Sequence, residues 1–428
     1  MRLPGRVSAA IEIITEIAER HRPASDALRD WGRAHRFAGA GDRHAIGTLV
    51  YDTLRHRASA AHRMGSDAPR GLVLATLVNV WGMTSADIAA LADGEHGPKA
   101  LSPAETAALD KKGIDAPPHV AGDFPQWLTA SLTRVFGDDA AAEGAALAER
   151  APIDLRVNTL KADREKLLAA LARFSPVAGP ISPTAVRIAA PGPDHKHVSV
   201  EAEPAHGMGW FEVQDAASQT AAALTGVKPG ERVADICAGA GGKTLALAAL
   251  MNNEGRIVAH DRDRHRLRPI FERIGRSGAT NIDVLAAEEG DKLAQGGGFD
   301  CVVVDAPCTG TGTWRRKPDA KWRLTEKSLA VRVKEQRDVL ARAAALVKKG
   351  GRLAYFTCSL LPEENTDQVA WFLGQHKDYR IIPTAEAWAA SSLGGKPSVS
   401  ADKAPDTLLL TPRQHQTDGF FVALFRRV

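Results

Sequence analysis

Two cysteines stand where a thiol could do chemistry. Cys308 follows the apolar run Phe299–Asp305, and Cys358 follows Gly351–Thr357. Asp305 lies three residues before Cys308. A thiolate is a strong nucleophile toward an electrophilic ring carbon. Two thiols and one acid at a shared crevice suit methylation of a pyrimidine at C5. That carbon is a poor nucleophile until a thiolate adds to C6 and turns the ring into an enamine. C5 can then attack a sulfonium methyl group. An acid near N3 takes up the charge that develops, and a base must remove the C5 proton so that the thiol can leave. One such cysteine alone reads better as packing; two flanking one crevice beside an acid reverse the odds. Cys237, in a glycine-rich turn, and Cys301, inside an apolar run, read as packing residues. The spacings match no zinc pattern, and no metal is expected.

A methyl donor needs its own cradle. Asp235-Ile-Cys-Ala-Gly-Ala-Gly-Gly-Lys-Thr244 is rich in small residues that let backbone approach a ligand, ahead of a helix with free N–H groups. A phosphate loop would need Gly at 237, where Cys stands, and a dinucleotide fingerprint would need Gly at 244, where Thr stands. Asp261 lies 22 residues beyond Gly239, the spacing of an acid that holds a ribose. Asp also suits a helix N-cap, but the spacing favours the ribose role for Asp261, though Asp263 could share either job. A glycine turn plus acid without a phosphate motif fits S-adenosylmethionine better than NAD.

These residues need a frame. Buried-type strands are expected at Arg232–Cys237, Gly255–Asp261, Ile282–Leu285, Phe299–Asp305, Gly351–Thr357 and Phe420–Phe425, alternating with helices such as Glu326–Lys348. That alternation predicts an α/β, doubly wound, Rossmann-like parallel sheet over 206–428, with ligands beyond the carboxyl ends of its strands. Residues 141–205 predict a small α+β segment, with Asp163 capping a helix. Residues 1–140 predict an all-helical domain, with Ile11, Ile14, Ile17 and Ala18 at helical spacing.

The chain has 428 residues, 44% hydrophobic and 25% charged, which argues against disorder and coiled coil. No apolar stretch suggests a transmembrane helix or signal peptide, so a cytoplasmic protein with free thiols and no membrane partner is expected. The net charge of +4 names no partner by itself, but residues 1–70 hold twelve Arg and no Lys.

Four segments occur in order: DICAGAGGKT at 235–244, DAPCTGTG at 305–312, RRKPDAKW at 315–322 and FTCSLLPEEN at 356–365. Together they resemble the RNA (cytosine-5) methyltransferases of the RsmB/Fmu/Sun type. Arg156-Val-Asn158, Val213–Gln219 and Asp418–Phe421 agree, and Gly41–Arg57 is similar to the NusB-like RNA-binding domain of those proteins. The resemblance implies an S-adenosylmethionine-dependent, monomeric enzyme acting on cytosine C5 in structured RNA, 16S ribosomal RNA foremost. It makes Cys358 the nucleophile, Cys308 the base that assists release, and Asp305 the residue that holds the cytosine. It assigns the donor to Cys237, Ala238, Gly239, Ala240, Gly241, Gly242, Lys243, Asp261 and Asp305. It places RNA against Arg156, Asn158, Arg315, Arg316, Lys317 and Lys321, with the target base out of its stack. Two positions depart from the pattern: Ala240 replaces a usual Pro, and in 286–291 Glu288 is the best match for a usual acid that contacts the donor.

Two rivals differ in testable ways. A DNA cytosine-5 methyltransferase would use Cys308 as nucleophile and would not need Cys358. A non-catalytic RNA-binding factor would have lost donor binding.

Overall fold

The computed structural model describes all residues except 112, 114, 191, 193–198 and 296. The chain forms two compact units. The first comprises Met1–Arg150 and the distant segment Trp314–Leu324. Its helices include Leu3–Arg20, Ala40–Arg55 and Pro69–Asn79. Their apolar positions form one core, with Ile13, Ile14, Ile17, Ile46, Leu49, Leu72 and Leu77 buried. Ala18 is exposed, so the inward stripe of the first helix runs through Ala10, Ile13, Ile14 and Ile17 instead. Thr84 and Ser102 start later helices by accepting from the N–H groups of Asp87 and Glu105. The unit extends to Arg150, ten residues past the expected boundary at 140.

The segment Trp314–Leu324 belongs to this helical unit because its polar groups are satisfied there. Lys321 is fully buried. Its ammonium donates to the carbonyl of Arg55 at 3.0 Å and to that of Asp123. The Trp322 indole donates to the Leu54 carbonyl at 2.6 Å, and Asp319 accepts from the Ala24 N–H at 3.2 Å. Arg315 is also buried, and its carbonyl accepts from Arg55. The expectation that Lys321 and Arg315 face RNA is therefore corrected: both are anchors. Only Arg316 and Lys317 of the basic run are exposed.

The second unit holds two sheets. In the small one, Ile153–Val157 (β1), Val177–Ala178 (β2), Ala185–Ile188 (β3) and Phe211–Val213 (β4) pair antiparallel in the order β2-β3-β1-β4. Asp163 caps the intervening helix Arg164–Ala170 as expected, accepting from the Lys166 N–H. β4 carries this sheet past the expected boundary at 205.

The large sheet comprises Arg232–Asp235 (β5), Arg256–His260 (β6), Ile282–Leu285 (β7), Phe299–Asp305 (β8), Val347–Thr357 (β9), Tyr379–Ile382 (β10), Leu408–Leu410 (β11) and Phe420–Arg427 (β12). The order is β10-β12-β9-β8-β5-β6-β7, with β11 also paired to β12. Strands β5 to β9 are parallel. β12 runs antiparallel to β9, β10 and β11, so the sheet is mixed rather than wholly parallel. Valines and small apolar residues make β5 and β8 buried on both faces. No helix among the described residues is long and apolar enough to cross a membrane.

Burial lowers the Lys321 ammonium from 10.5 to about 8. Between those values the unfolded chain holds the proton and the folded chain does not, so the contribution of Lys321 to stability rises with pH. Lys321→Met, which leaves two buried carbonyls without a donor, is expected to cost about 2–4 kcal/mol in urea unfolding at pH 7. The wild-type advantage should be larger at pH 10; a smaller one would contradict this assignment.

Candidate active site

Strands β5, β6, β8 and β9 deliver the site because parallel neighbours end at the same edge. After β5 the chain turns sharply through Gly239 and Gly241 into the helix Gly242–Leu250. Gly241 sits at φ +84°, and a Cβ there would lie 2.6 Å from Ile270. Only glycine satisfies both constraints.

Buried charges hold this turn from behind. Asp261, at the end of β6, accepts from the N–H groups of Gly239 and Asp263, both at 2.9 Å. Asp263 in turn caps Arg264–Leu267. Asp261, the acid expected to hold the ribose, is buried as a brace of the turn and is not among the residues that line the adjoining cavity, whereas Asp263, the helix cap, does line it. Arg273 donates to the Ala240 carbonyl at 2.8 Å. Arg156 is buried and donates to the Gly242 carbonyl at 2.8 Å and to Gln214. Asn158 is buried as well, donating to the carbonyls of Gly209 and Ser277. The expectation that Arg156 and Asn158 bind RNA is corrected: Arg156 joins the small sheet to the turn, and Asn158 joins it to Gly209 and to the end of the helix Ile270–Ser277.

A cavity of about 570 Å³ opens beside the turn. One wall is Cys237, Ala238, Gly239, Ala240, Gly242 and Lys243. The opposite wall is Asp305, Ala306, Pro307, Cys308 and Cys358. Gln214, Ser218, Arg262, Asp263, Arg266 and Arg332 complete it. Glu288 is exposed in the 3-10 helix Ala287–Ala294 and does not line this cavity, unlike the expectation for it. Gly241 and Asp261 support the lining from beneath.

The two sulfurs are 3.3 Å apart and unbonded covalently. Both side chains are partly exposed to the cavity. The proton shared with Cys358, burial, and the charges of Cys358 and Glu364 push the Cys308 thiol well above its ordinary value. Cys301 is fully buried, as expected for packing. Cys237 is half-buried in the turn, and burial pushes its thiol upward too. Lys243 is buried; its ammonium lies 3.1 Å from Asp305, 2.6 Å from the Ser218 hydroxyl and 4.4 Å above the Phe420 ring. It fixes the Asp305 carboxylate at the cavity wall.

Sequence reasoning missed Gln214, Ser218, Arg262, Arg266 and Arg332. The spacing of Gln214 and Ser218 was the available signal: they lie four residues apart inside the Val213–Gln219 match, one helical turn. Arg262 and Arg332 meet on Glu335, a pairing no local pattern announces.

The 16S rRNA methyltransferase RsmB/F model matches residues 222–426, and a ferredoxin-like domain model of the same methyltransferases matches 124–194. The protein named "Probable ribosomal RNA small subunit methyltransferase B" from Synechocystis sp. is 34% identical over 313 residues, covering 71% of this chain and 67% of that protein. The chain belongs to the RsmB/F methyltransferase family. A ribosomal RNA small subunit methyltransferase B from Sodalis glossinidius is 35% identical over 268 residues, 62% of this chain and 60% of that relative. Among solved structures, PH0851 aligns with TM-score 0.74 and 27% identity over 100% of this chain and 99% of its own. NSun6 from Pyrococcus horikoshii, solved with SFG, shares the fold at TM-score 0.62 and 23% identity over 71% of this chain and 98% of its own.

Asp235, fully buried behind the turn, accepts from Thr244 at 2.7 Å. Burial, with the Asp305 charge adding to it, raises its carboxyl from 3.8 to about 7. The folded chain binds the extra proton between those values, so this group's contribution to stability falls as pH rises toward 7. Asp235→Asn keeps an acceptor for Thr244 and removes the charge. Its thermal midpoint should exceed wild type at pH 8 and match it at pH 5; a destabilised variant at pH 8 would refute the assignment.

Proposed function

We propose that the chain methylates C5 of a cytosine in structured RNA, with 16S ribosomal RNA the substrate class its family points to. The observation that carries this reading is the pair of sulfurs 3.3 Å apart on a cavity wall facing a glycine turn. The residues fit S-adenosylmethionine: the turn is open to backbone approach, and Asp263 and Asp305 offer carboxylates suited to a ribose and to a cationic donor. When bound between that turn and Asp305, S-adenosylmethionine supplies the methyl group.

The side chains divide the work as follows. Cys358 adds as thiolate to C6 of the flipped cytosine, which makes C5 nucleophilic. The Cys308 and Cys358 sulfurs lie within hydrogen-bond distance of each other at rest. Asp305, braced by Lys243, holds the base edge while charge develops on the ring. After methyl transfer, Cys308, having first released its own proton to solvent, accepts the C5 proton, and the C5–H electron pair re-forms the C5–C6 double bond. The C6–S bond breaks with it and Cys358 leaves. Arg316 and Lys317, exposed on the helical unit, offer cations to the RNA backbone.

With protein-free 16S ribosomal RNA and S-adenosylmethionine, Cys308→Ala should accumulate a covalent protein–RNA species on a denaturing gel, and Cys358→Ala should form none. The reverse pattern would move the nucleophile to Cys308 and overturn the reading. Calorimetry with S-adenosylmethionine alone should show binding in both variants.

A further inference from the structure

Behind the two sulfurs lies a buried polar cluster that the proposed chemistry leaves unused. Glu364, in the turn Pro362–Glu364, is fully buried. One carboxyl oxygen accepts from the Thr309 N–H at 2.8 Å and from the Gln336 amide at 3.0 Å. The other accepts from the Thr309 hydroxyl, and the Ser359 hydroxyl also bonds the carboxyl. The same Gln336 amide donates to the Pro307 carbonyl at 2.9 Å. The hydroxyls of Thr309 and Ser359 are 3.4 Å apart.

The placement of these partners is the point. Pro307 and Thr309 flank Cys308, and Ser359 follows Cys358. One buried carboxyl therefore grips the chain beside each sulfur. Among the described residues none of its hydrogen-bonding partners is a cation, so no ion pair with them holds the group. A buried carboxyl satisfied only by neutral donors is costly. Apolar residues would fill the same space more cheaply, but they could not tie two loops together.

We propose that Glu364 is a positioning residue for methyl transfer, fixing the separation of Cys308 and Cys358 through Thr309, Gln336 and Ser359. The proposal rests on the reaction argued above. Its charge has a second effect: the carboxyl, itself pushed upward by burial, helps hold the Cys308 thiol in its protonated form. The groups that face Glu364 are the Thr309 and Ser359 hydroxyls and the Gln336 amide, with the Cys308 thiol and the Tyr355 phenol nearby.

Glu364→Gln keeps the side chain's size but replaces one accepting oxygen by a donor. With protein-free 16S ribosomal RNA, turnover should fall about 10²-fold, the scale of a small misplacement of reacting groups. KM for RNA and Kd for S-adenosylmethionine should stay within about twofold. Peptide mass spectrometry after iodoacetamide, without RNA or donor, should show the Cys358-to-Cys308 alkylation ratio shifted by about tenfold, because thiolate fraction sets that rate. A merely structural residue would move the melting temperature and leave this ratio alone. If Glu364→Gln does not fold, Thr309→Val decides: it removes one grip and should lower turnover about tenfold on the same argument. A wild-type chain inert on the RNA overturns the underlying reaction. A wild-type chain that methylates while the variants keep its turnover and its thiol ratio overturns the clamp alone.

Discussion

Two sulfur atoms at 3.3 Å cannot both carry full negative charge in a half-buried wall without a large electrostatic cost. The pair must therefore keep a proton, and the two residues become unequal although their chemistry is the same. The fold creates this constraint through sheet order. β8 and β9 are adjacent and parallel, with Asp305 opposite Phe356, so the residues that follow emerge side by side. An antiparallel pairing would have sent the two cysteines to opposite edges.

The walls around them are fixed by charges that are buried or, for Arg273, partly shielded from solvent. Asp261 ties down Gly239, Arg156 and Arg273 grip the carbonyls of Gly242 and Ala240, and Glu364 binds Thr309. Each desolvated group costs free energy that an apolar side chain would not. Each also fixes a backbone atom within hydrogen-bond tolerance, which packing alone does less sharply. The site spends stability on position.

This division explains what could be read in the sequence. The strands β5 to β9 were legible because buried parallel strands are continuous apolar runs flanked by glycine, and the ligand edge follows from topology. The cysteines and Asp305 were legible because they stand directly after such strands. The reversed direction of β12 was not, since Phe420–Phe425 reads alike in either orientation. The short β10 and β11 gave too little pattern to register. Basic residues misled most. Arg156, Arg315 and Lys321 look in sequence like Arg316 and Lys317, yet three are buried, Arg156 and Lys321 against carbonyl or amide acceptors, and two are exposed. Residue type cannot separate them, because the deciding acceptors come from chain far away, such as Arg55 and Asp123 for Lys321.

The discontinuous make-up of the helical unit bears on how the chain is born. Its early residues leave the ribosome long before Trp314–Leu324 is synthesised. Until that stretch emerges, the carbonyls of Leu54, Arg55 and Asp123 wait without their donors. The leading unit thus reaches its finished form only after half of the large sheet's strands have been made, and translation order couples the maturation of the two units.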